Sequence, residues 1–378
     1  MNALLARWPA CALMGPRQCG KTTLARSLDG DYFDLELEPE RLRLDLAWEE
    51  CILKDRLLIL DEAQNWPALF PRLRAAIDAR RRQNGRFLLL GSVSPQLMTQ
   101  VAESLAGRLA LLPLSPFLRG EVPEEAQGRH WLCGGFPDGG ALDAAAFPGW
   151  QNHYLQLLTQ RDLPQWGLSA RPQQTERLLR MLAAVNGQEW NASRLGQALG
   201  LDYHTVNQHV DVLEGAFIIR RLSAWHRNIG KRLVKRPKVY LRDSGLLHAL
   251  LRAGDERALL EQPGVGASWE GYVIEQVLGA LAARGLDCQA SYLRTSDQHE
   301  IDLVLECGGP PLAMEIKLGT QPDPRDLARL NLAADWIGAG SRVLLSSNRQ
   351  VTRSGLVLAC DLDTLLQELP ELLHASVS

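Results

Sequence analysis

Two groups of side chains in this sequence have the types and spacing for phosphate chemistry. In the first, Gly15, Gly20, Lys21 and Thr22 of LMGPRQCGKTTL follow G-x-x-x-x-G-K-[ST], the phosphate-binding loop between a buried strand and a helix. The backbone of Gly15, Pro16, Arg17, Gln18, Cys19, Gly20, Lys21, Thr22 and Thr23 would turn its N–H groups around phosphate oxygens, and the helix dipole adds positive potential. Lys21 is expected to reach the β- and γ-phosphates and the Thr22 hydroxyl to ligate Mg²⁺. The apolar run 57–60 ends in Asp61 and Glu62, a Walker B strand: Asp61 would hold Mg²⁺ through water, and Glu62 would polarise the attacking water. The two motifs in this order predict an ATP site; a chance glycine turn would have neither the strand before it nor the helix after it. The second group is Glu270, Asp302, Glu315 and Lys317. Two acids and a lysine on neighbouring strands, with an acid in the preceding helix, match the PD-(D/E)xK layout. Asp302 and Glu315 would bind Mg²⁺ while Lys317 orients or activates water for phosphodiester attack; an E-x-K triplet on a solvated strand face is the alternative.

The elements that must position the first group alternate. Strands are expected at 10–14, 31–37, 57–60, 86–90 and 109–114, with helices between them, which predicts a parallel sheet covered on both faces. Ser92 ends the fourth strand, where such ATPases carry a polar sensor; a strand-end turn serine is the alternative. A helical, irregular stretch over 116–186 reads as a lid, with Arg161 a second sensor or a surface ion pair. Residues 191–222 read as helix, tight turn, helix and strand, a winged helix-turn-helix. Tyr203, His204, Asn207, Gln208 and His209 are the candidate base contacts. Arg220, Arg221, Arg227, Lys231, Arg232, Lys235, Arg236, Lys238 and Arg242 follow with no acid between Glu214 and Asp243, which favours contact with a phosphate backbone over a merely solvated face. The second group would ride on a helix at 267–284, strands at 288–294, 300–306 and 312–318, a helix at 325–337 and a strand at 342–345. The expected domains are thus 1–115, 116–186, 187–242 and 243–378.

With 378 residues, 46% hydrophobic and 22% charged, and a net charge of −3, the chain reads as an ordinary globular protein without a global pull toward nucleic acid. Its seven cysteines have no C-x-x-C pair or zinc spacing, so buried or idle thiols in a reducing cytoplasm are expected. Residues 1–14 have some look of a secretion signal, but the phosphate loop falls where cleavage would occur. No apolar run reaches the ~20 residues of a membrane span. The segment before the first strand is short, so the expected adenine contact has no evident source, and an upstream start would supply one.

GPRQCGKTTL, LILDEAQ, GSVSPQL, SLAGRLALLPLSPF, GGFP, KRPKVYLRDSGLL and EIDLVLE…LAMEIKL together resemble the prokaryotic AAA-type ATPases that carry a C-terminal domain of unknown function related to PD-(D/E)xK nucleases. The resemblance spans nearly the whole chain. It implies an α/β fold in which an AAA-type P-loop NTPase parallel sheet is followed by a helical lid, a winged helix and a restriction-endonuclease-like α/β domain. It also implies acid roles for Asp61 and Glu62, and a place for Arg108 as a finger reaching a neighbouring subunit's nucleotide in a homo-oligomer or ring. The N-terminal segment is shorter than that family's, and Cys19 falls where the family varies. Two functions compete: ATP hydrolysis coupled to DNA binding or processing, and a nucleotide-dependent assembly or regulatory switch whose nuclease-like domain only binds.

Overall fold

Residues ACALMG are apolar at every position, the pattern of a strand covered on both faces. In the computed structural model of the chain they form β1 (Ala10–Gly15), buried throughout. The structure describes residues 1–92, 104–168, 170–227, 233–321 and 323–374, with the side chains of Ser92 and His374 outside that description. With β2 (Gly30–Asp34), β3 (Leu57–Asp61), β4 (Phe87–Ser92) and β5 (Leu109–Pro113), β1 makes a parallel sheet of order β2-β3-β4-β1-β5. Alternation sorts its side chains: Ala10, Ala12 and Met14 pack toward the helices Glu38–Leu53 and Leu69–Ala79, and Cys11 and Leu13 pack with Ala25 of the helix Lys21–Arg26. Because the strands are parallel, their carboxyl ends share one edge, where ligands of open α/β sheets bind. The expected second strand stops at Asp34, since the chain turns there into the helix that begins at Glu38. Most of the helix expected at 96–106 lies outside the described residues.

A second core runs without a break from Phe136, Tyr154 and Leu155 through the helices Pro172–Ala184, Ala192–Leu199 and Tyr203–Gly215 to Val239, Leu241 and Leu246. Asn191 and Asp202 cap the last two helices, each accepting from a backbone N–H three residues on, and Gly200 turns between them at φ 68°. A glycine takes that left-handed conformation without strain. Behind this pair lies an antiparallel sheet of order β6-β8-β7, from β6 (Gln188–Glu189), β7 (Ile219–Leu222) and β8 (Lys238–Leu241).

The C-terminal sheet has order β13-β14-β12-β11-β10-β9, from β9 (Gln289–Arg294), β10 (Glu300–Glu306), β11 (Leu312–Ile316), β12 (Ser341–Leu345), β13 (Thr352–Ser354) and β14 (Val357–Cys360). One face packs on the helices Val265–Ala283 and Leu362–His374, the other on Pro324–Ile337. The expectation of seven idle thiols needs correction. Cys288 and Cys307 form a disulfide, because the antiparallel register pairing Gln289 with Glu306 sets the next residues out opposite each other. Cys11, Cys19, Cys51, Cys133 and Cys360 are free and buried.

Two buried histidines tie the segment after β5 to the helix Val265–Ala283. The His130 ring donates from Nε2 to the Phe117 carbonyl and accepts at Nδ1 from the Tyr272 hydroxyl, both at 3.0 Å. His248 donates from Nδ1 to the Leu132 carbonyl at 2.8 Å and accepts at Nε2 from the Ser268 hydroxyl at 2.7 Å. Carbonyls only accept, so the tautomers follow from the partners. Burial pushes each ring down to about 4, so each is neutral when folded and takes up a proton when unfolded below its ordinary value of about 6.5. Stability therefore falls as pH drops from 6.5 to 4, by up to ~1.4 kcal/mol per pH unit for each ring. His248→Asn, which keeps a donor for Leu132, should remove one ring's share of that slope in urea denaturation across this window. An unchanged slope would mean that His248 is not held neutral.

Candidate nucleotide site and acidic cleft

The phosphate loop follows β1 at the shared strand edge. A Cβ on Gly15 would lie 2.2 Å from the Leu114 carbonyl oxygen, so only glycine lets the loop leave the sheet here. Gly20 at φ 99° opens the helix Lys21–Arg26, a conformation that a side chain would strain. Lys21 is buried, its ammonium donating to the carbonyls of Gly15 at 3.0 Å and Pro16 at 2.7 Å. The Thr22 hydroxyl donates to Asp61 Oδ2 at 2.7 Å, and the Tyr32 hydroxyl donates to the same oxygen at 2.7 Å. Asp61 Oδ1 accepts from the Glu62 backbone N–H at 2.9 Å. Glu62 follows β3 at φ 50° and accepts from the Gln64 side-chain amide. Burial holds its carboxyl above the usual range, with Gln64 opposing and Asp61 adding to the rise.

Two loop residues face the second core. Arg17 forms an ion pair with Asp162, its guanidinium 5.8 Å from the Trp166 ring centroid. Cys19 is buried in the helical core, and burial pushes its thiol up. Thr23 is exposed. The Ser92 backbone ends β4 beside β1, but its side chain lies outside the described residues.

Across the molecule, Glu270, Asp302, Glu315 and Lys317 line one cleft of about 620 Å³, together with Lys238, Glu300, Arg194, Arg236, Arg294 and Arg329. The β9–β10 ladder is irregular between Ile301 and Val304, and Asp302 sits in that irregularity; a bulge of this kind re-aims a side chain. Its Oδ2 accepts from the Ile316 backbone N–H at 2.8 Å. Glu315 lies within β11, and Lys317, one residue past its end, pairs with it at 2.6 Å. Glu270 accepts from the Lys238 ammonium at 2.8 Å and from the Tyr240 hydroxyl. Burial, reinforced by Glu270 and Glu315, pushes the Asp302 carboxyl well above its ordinary value. Burial also raises Glu315, against the pull of Lys317. Among the described residues, no three His, Cys, Asp or Glu side chains are disposed to share a metal ion.

Residues 7–122 match the model of an AAA domain, and residues 124–257 and 265–365 match two domains of unknown function, DUF8612 and DUF4143. Two curated relatives, the uncharacterized proteins Rv2008c of Mycobacterium tuberculosis and Mb2031c of Mycobacterium bovis, are each 40% identical over 330 residues. The match covers 85% of this chain and 73% of each relative. The chain belongs to their family. The loop and the Asp61–Glu62 pair both fall within the AAA domain match. A solved structure, protein VC1899 from Vibrio cholerae, aligns over 97% of this chain and 98% of its own at 12% identity, with a TM-score of 0.25, too low a likeness to bear on the fold.

Within the AAA domain, Arg108 stands at the start of β5, where Leu109 pairs with Ala10. Five residues of strand, roughly 16 Å at ~3.3 Å each, separate that end from Gly15, so Arg108 cannot serve its own nucleotide site. It is held instead by Asp78, through bonds of 2.7 and 2.9 Å. Arg161, with a side chain 58% exposed, lies 3.6 Å from the buried Asp162, which Arg17 also holds.

The basic run behaves differently from a phosphate-binding stripe. Arg220 and Arg242 both pair with Glu275, Arg221 with Asp211 and Glu214, Arg227 with Glu306, and Lys238 with Glu270 and Glu300. Most of those acids come from beyond residue 243, so a run that is one-sided in sequence is neutralised in space. Lys235 and Arg236 are exposed, and Lys231 and Arg232 lie outside the described residues. On the helix Tyr203–Gly215, Tyr203, His204 and Gln208 are exposed. Asn207 is engaged by the Trp190 indole at 3.0 Å. The expectation for His209 is corrected: it is buried at 5% exposure and packs inward, beside the core residues Val206 and Val210 of the same helix.

Sequence reasoning missed three site residues. Glu300 had a signal, since it stands two positions from Asp302 and period-two alternation sets both on one strand face. Tyr32 had none, and Lys238 was legible only as part of the basic run, because each reaches its acid from an element whose neighbours only the folded sheet defines.

Proposed function

We propose that this protein binds ATP with Mg²⁺ at the phosphate loop and hydrolyses it, driving changes in how the chain engages its other ligands. The observation that carries the reading is the convergence of the Thr22 and Tyr32 hydroxyls on one oxygen of Asp61, beside a buried Lys21. The donor set fits the cation: a hydroxyl and a carboxylate in contact at 2.7 Å are hard oxygen ligands, and Thr22 and Asp61 would hold it. When bound, Mg²⁺ neutralises charge on the β- and γ-phosphates. Lys21 exchanges the carbonyls of Gly15 and Pro16 for phosphate oxygens. Glu62, whose carboxyl burial keeps more basic than usual, takes the proton of the attacking water.

Arg108 acts in trans in this reading. The Asp78 pair holds it until a neighbouring subunit's nucleotide replaces that carboxylate, which requires a head-to-tail assembly. Mixing Arg108→Ala subunits with Glu62→Gln subunits should restore part of the ATPase activity, because some interfaces pair an intact site with an intact finger. No recovery in mixtures shown to co-assemble would assign Arg108 a structural role with Asp78.

We read the winged-helix and nuclease-like parts as a module that engages DNA without an assigned cleavage step. Among the described residues, Arg194, Arg236 and Arg329 on the cleft rim have no acidic partner, which supports contact with phosphates there rather than along the paired run 220–242. The expectation that Asp302 and Glu315 hold Mg²⁺ for phosphodiester cleavage, with Glu270 and Lys317 assisting, meets two ammonium groups in the cleft, Lys317 on Glu315 and Lys238 on Glu270 with Asp302 3.9 Å away. The rival reading, a nucleotide-dependent assembly or regulatory switch, is supported by the pairing of the basic run. Measuring ATP hydrolysis and Mg²⁺-dependent nuclease activity on one preparation, with and without DNA, separates them. ATPase activity that DNA stimulates is expected, with binding weakened steeply by salt. ATPase activity indifferent to DNA leaves the switch.

A further inference from the structure

Lys238 reaches the acidic cleft from β8, outside the elements that carry the four acids. It is 3% exposed, with its ammonium 2.8 Å from Glu270 Oε1, 2.6 Å from Glu300 Oε1 and 3.9 Å from Asp302 Oδ1. A buried charge is tolerated only when paired and hydrogen-bonded, and here three carboxylates surround one cation. Burial alone would lower the ammonium's affinity for its proton, but Glu270, Asp302 and Glu300 outweigh burial and hold it well above the ordinary lysine range.

We propose that Lys238 is the resident cation of this cleft, filling the place among Glu270, Glu300 and Asp302 that a divalent metal would need, so that the arginine rim takes a phosphodiester without metal. Two features fix the lysine there. Its backbone is laddered on both sides, with Glu189 and with Leu222 opposite it, and its ammonium lies 5.2 Å from the centroid of the Tyr292 ring. Mg²⁺ demands oxygen ligands at about 2.0–2.1 Å in near-octahedral array. Glu270 and Glu300, already at hydrogen-bond distance from the ammonium, and Asp302, 3.9 Å from it, cannot also close on such an ion. Glu315, the remaining acid, is separately held by Lys317. This inference stands on the cleft alone and is independent of ATP hydrolysis at the phosphate loop.

The test counts bound Mn²⁺ per full-length chain, without nucleotide, from the electron paramagnetic resonance signal of the free ion. Wild type and Asp302→Asn should bind the same number. Lys238→Met should bind one more, and the double variant Lys238→Met/Asp302→Asn should lose that extra ion. A wild-type chain that loses one Mn²⁺ on Asp302→Asn overturns the proposal, as does a folded Lys238→Met chain that gains none. Should Lys238→Met fail to fold, the comparison of wild type with Asp302→Asn still decides. In a second arm, a short single-stranded oligonucleotide at low salt should bind in EDTA, and Arg194→Ala with Arg329→Ala should weaken it at least ~10-fold, the loss of two phosphate contacts. Binding that requires added metal, or none in EDTA, overturns the metal-free half.

Discussion

Lys21→Ala should abolish ATP binding, while Glu62→Gln should leave binding intact and slow turnover by about 10²–10⁴-fold, the range that general-base catalysis supplies. The two side chains are separated by place in the structure. Lys21 is a buried cation already resting on the loop carbonyls of Gly15 and Pro16, so its removal deletes the loop's one side-chain charge aimed inward and costs about 2–5 kcal/mol of binding, as loss of a buried charge partner does. Glu62 sits past the end of β3, and its backbone N–H bonds to Asp61 whichever side chain it carries. Glutamine is isosteric and keeps the cradle, but cannot take a proton. Equilibrium binding of a fluorescent ATP analogue, read beside phosphate release, checks both. Normal hydrolysis by Lys21→Ala would end the nucleotide assignment, and normal turnover by Glu62→Gln would move the base elsewhere.

Glu275→Ala should be the most destabilising single substitution in the basic run's network, by about 3–5 kcal/mol, the cost of removing one partner from a buried ion group. Glu275 is 8% exposed and accepts from Arg220 Nη2 at 3.1 Å and Arg242 Nε at 3.0 Å. Burial alone would raise its carboxyl, but Arg220 and Arg242 bring it down to about 2. The group therefore supplies stability in full above the ordinary carboxylate value, and this stability is lost as pH falls from about 4.5 toward 2. Chemical denaturation at pH 7 measures the variant. A midpoint unchanged from wild type would show that the two arginines find other partners, and would return them to the pool available for a polyanion.

How far the sequence could be read follows from how local each signal is. The phosphate loop and the Asp61–Glu62 pair were legible because their chemistry is written in adjacent residues with fixed backbone needs, and the strands flanking them are uninterrupted apolar runs. The C-terminal element order was legible for the same reason, through residues 345. The charge of residues 220–242 misled because its compensation is non-local: Glu275 and Glu306 lie dozens of positions away, and only packing brings them back. His209 is a helical residue whose face depends on one turn of phase, and a polar ring gave no sign that it packs inward. Cys288 and Cys307 carry no motif, and an end-to-end alignment of the expected strands 288–294 and 300–306 sets Cys288 opposite Glu306; the irregularity between Ile301 and Val304 shifts the register by one residue and brings the two cysteines together.

The strand β8 has a thermodynamic consequence. Lys238 at its start is bound to Glu270, and Arg242 just past its end is bound to Glu275, and both acids belong to the single helix Val265–Ala283. Arg242 also shares the lining of one cavity with Pro16 of the phosphate loop. Four residues of laddered backbone thus run between a cavity lined by Pro16 of the phosphate loop and the acidic cleft. Whatever factor a phosphate ligand in the cleft applies to ATP affinity through this strand, ATP must apply to the cleft ligand in equal measure. A single pair of binding curves, each taken with the other site filled and empty, would read that factor from both ends.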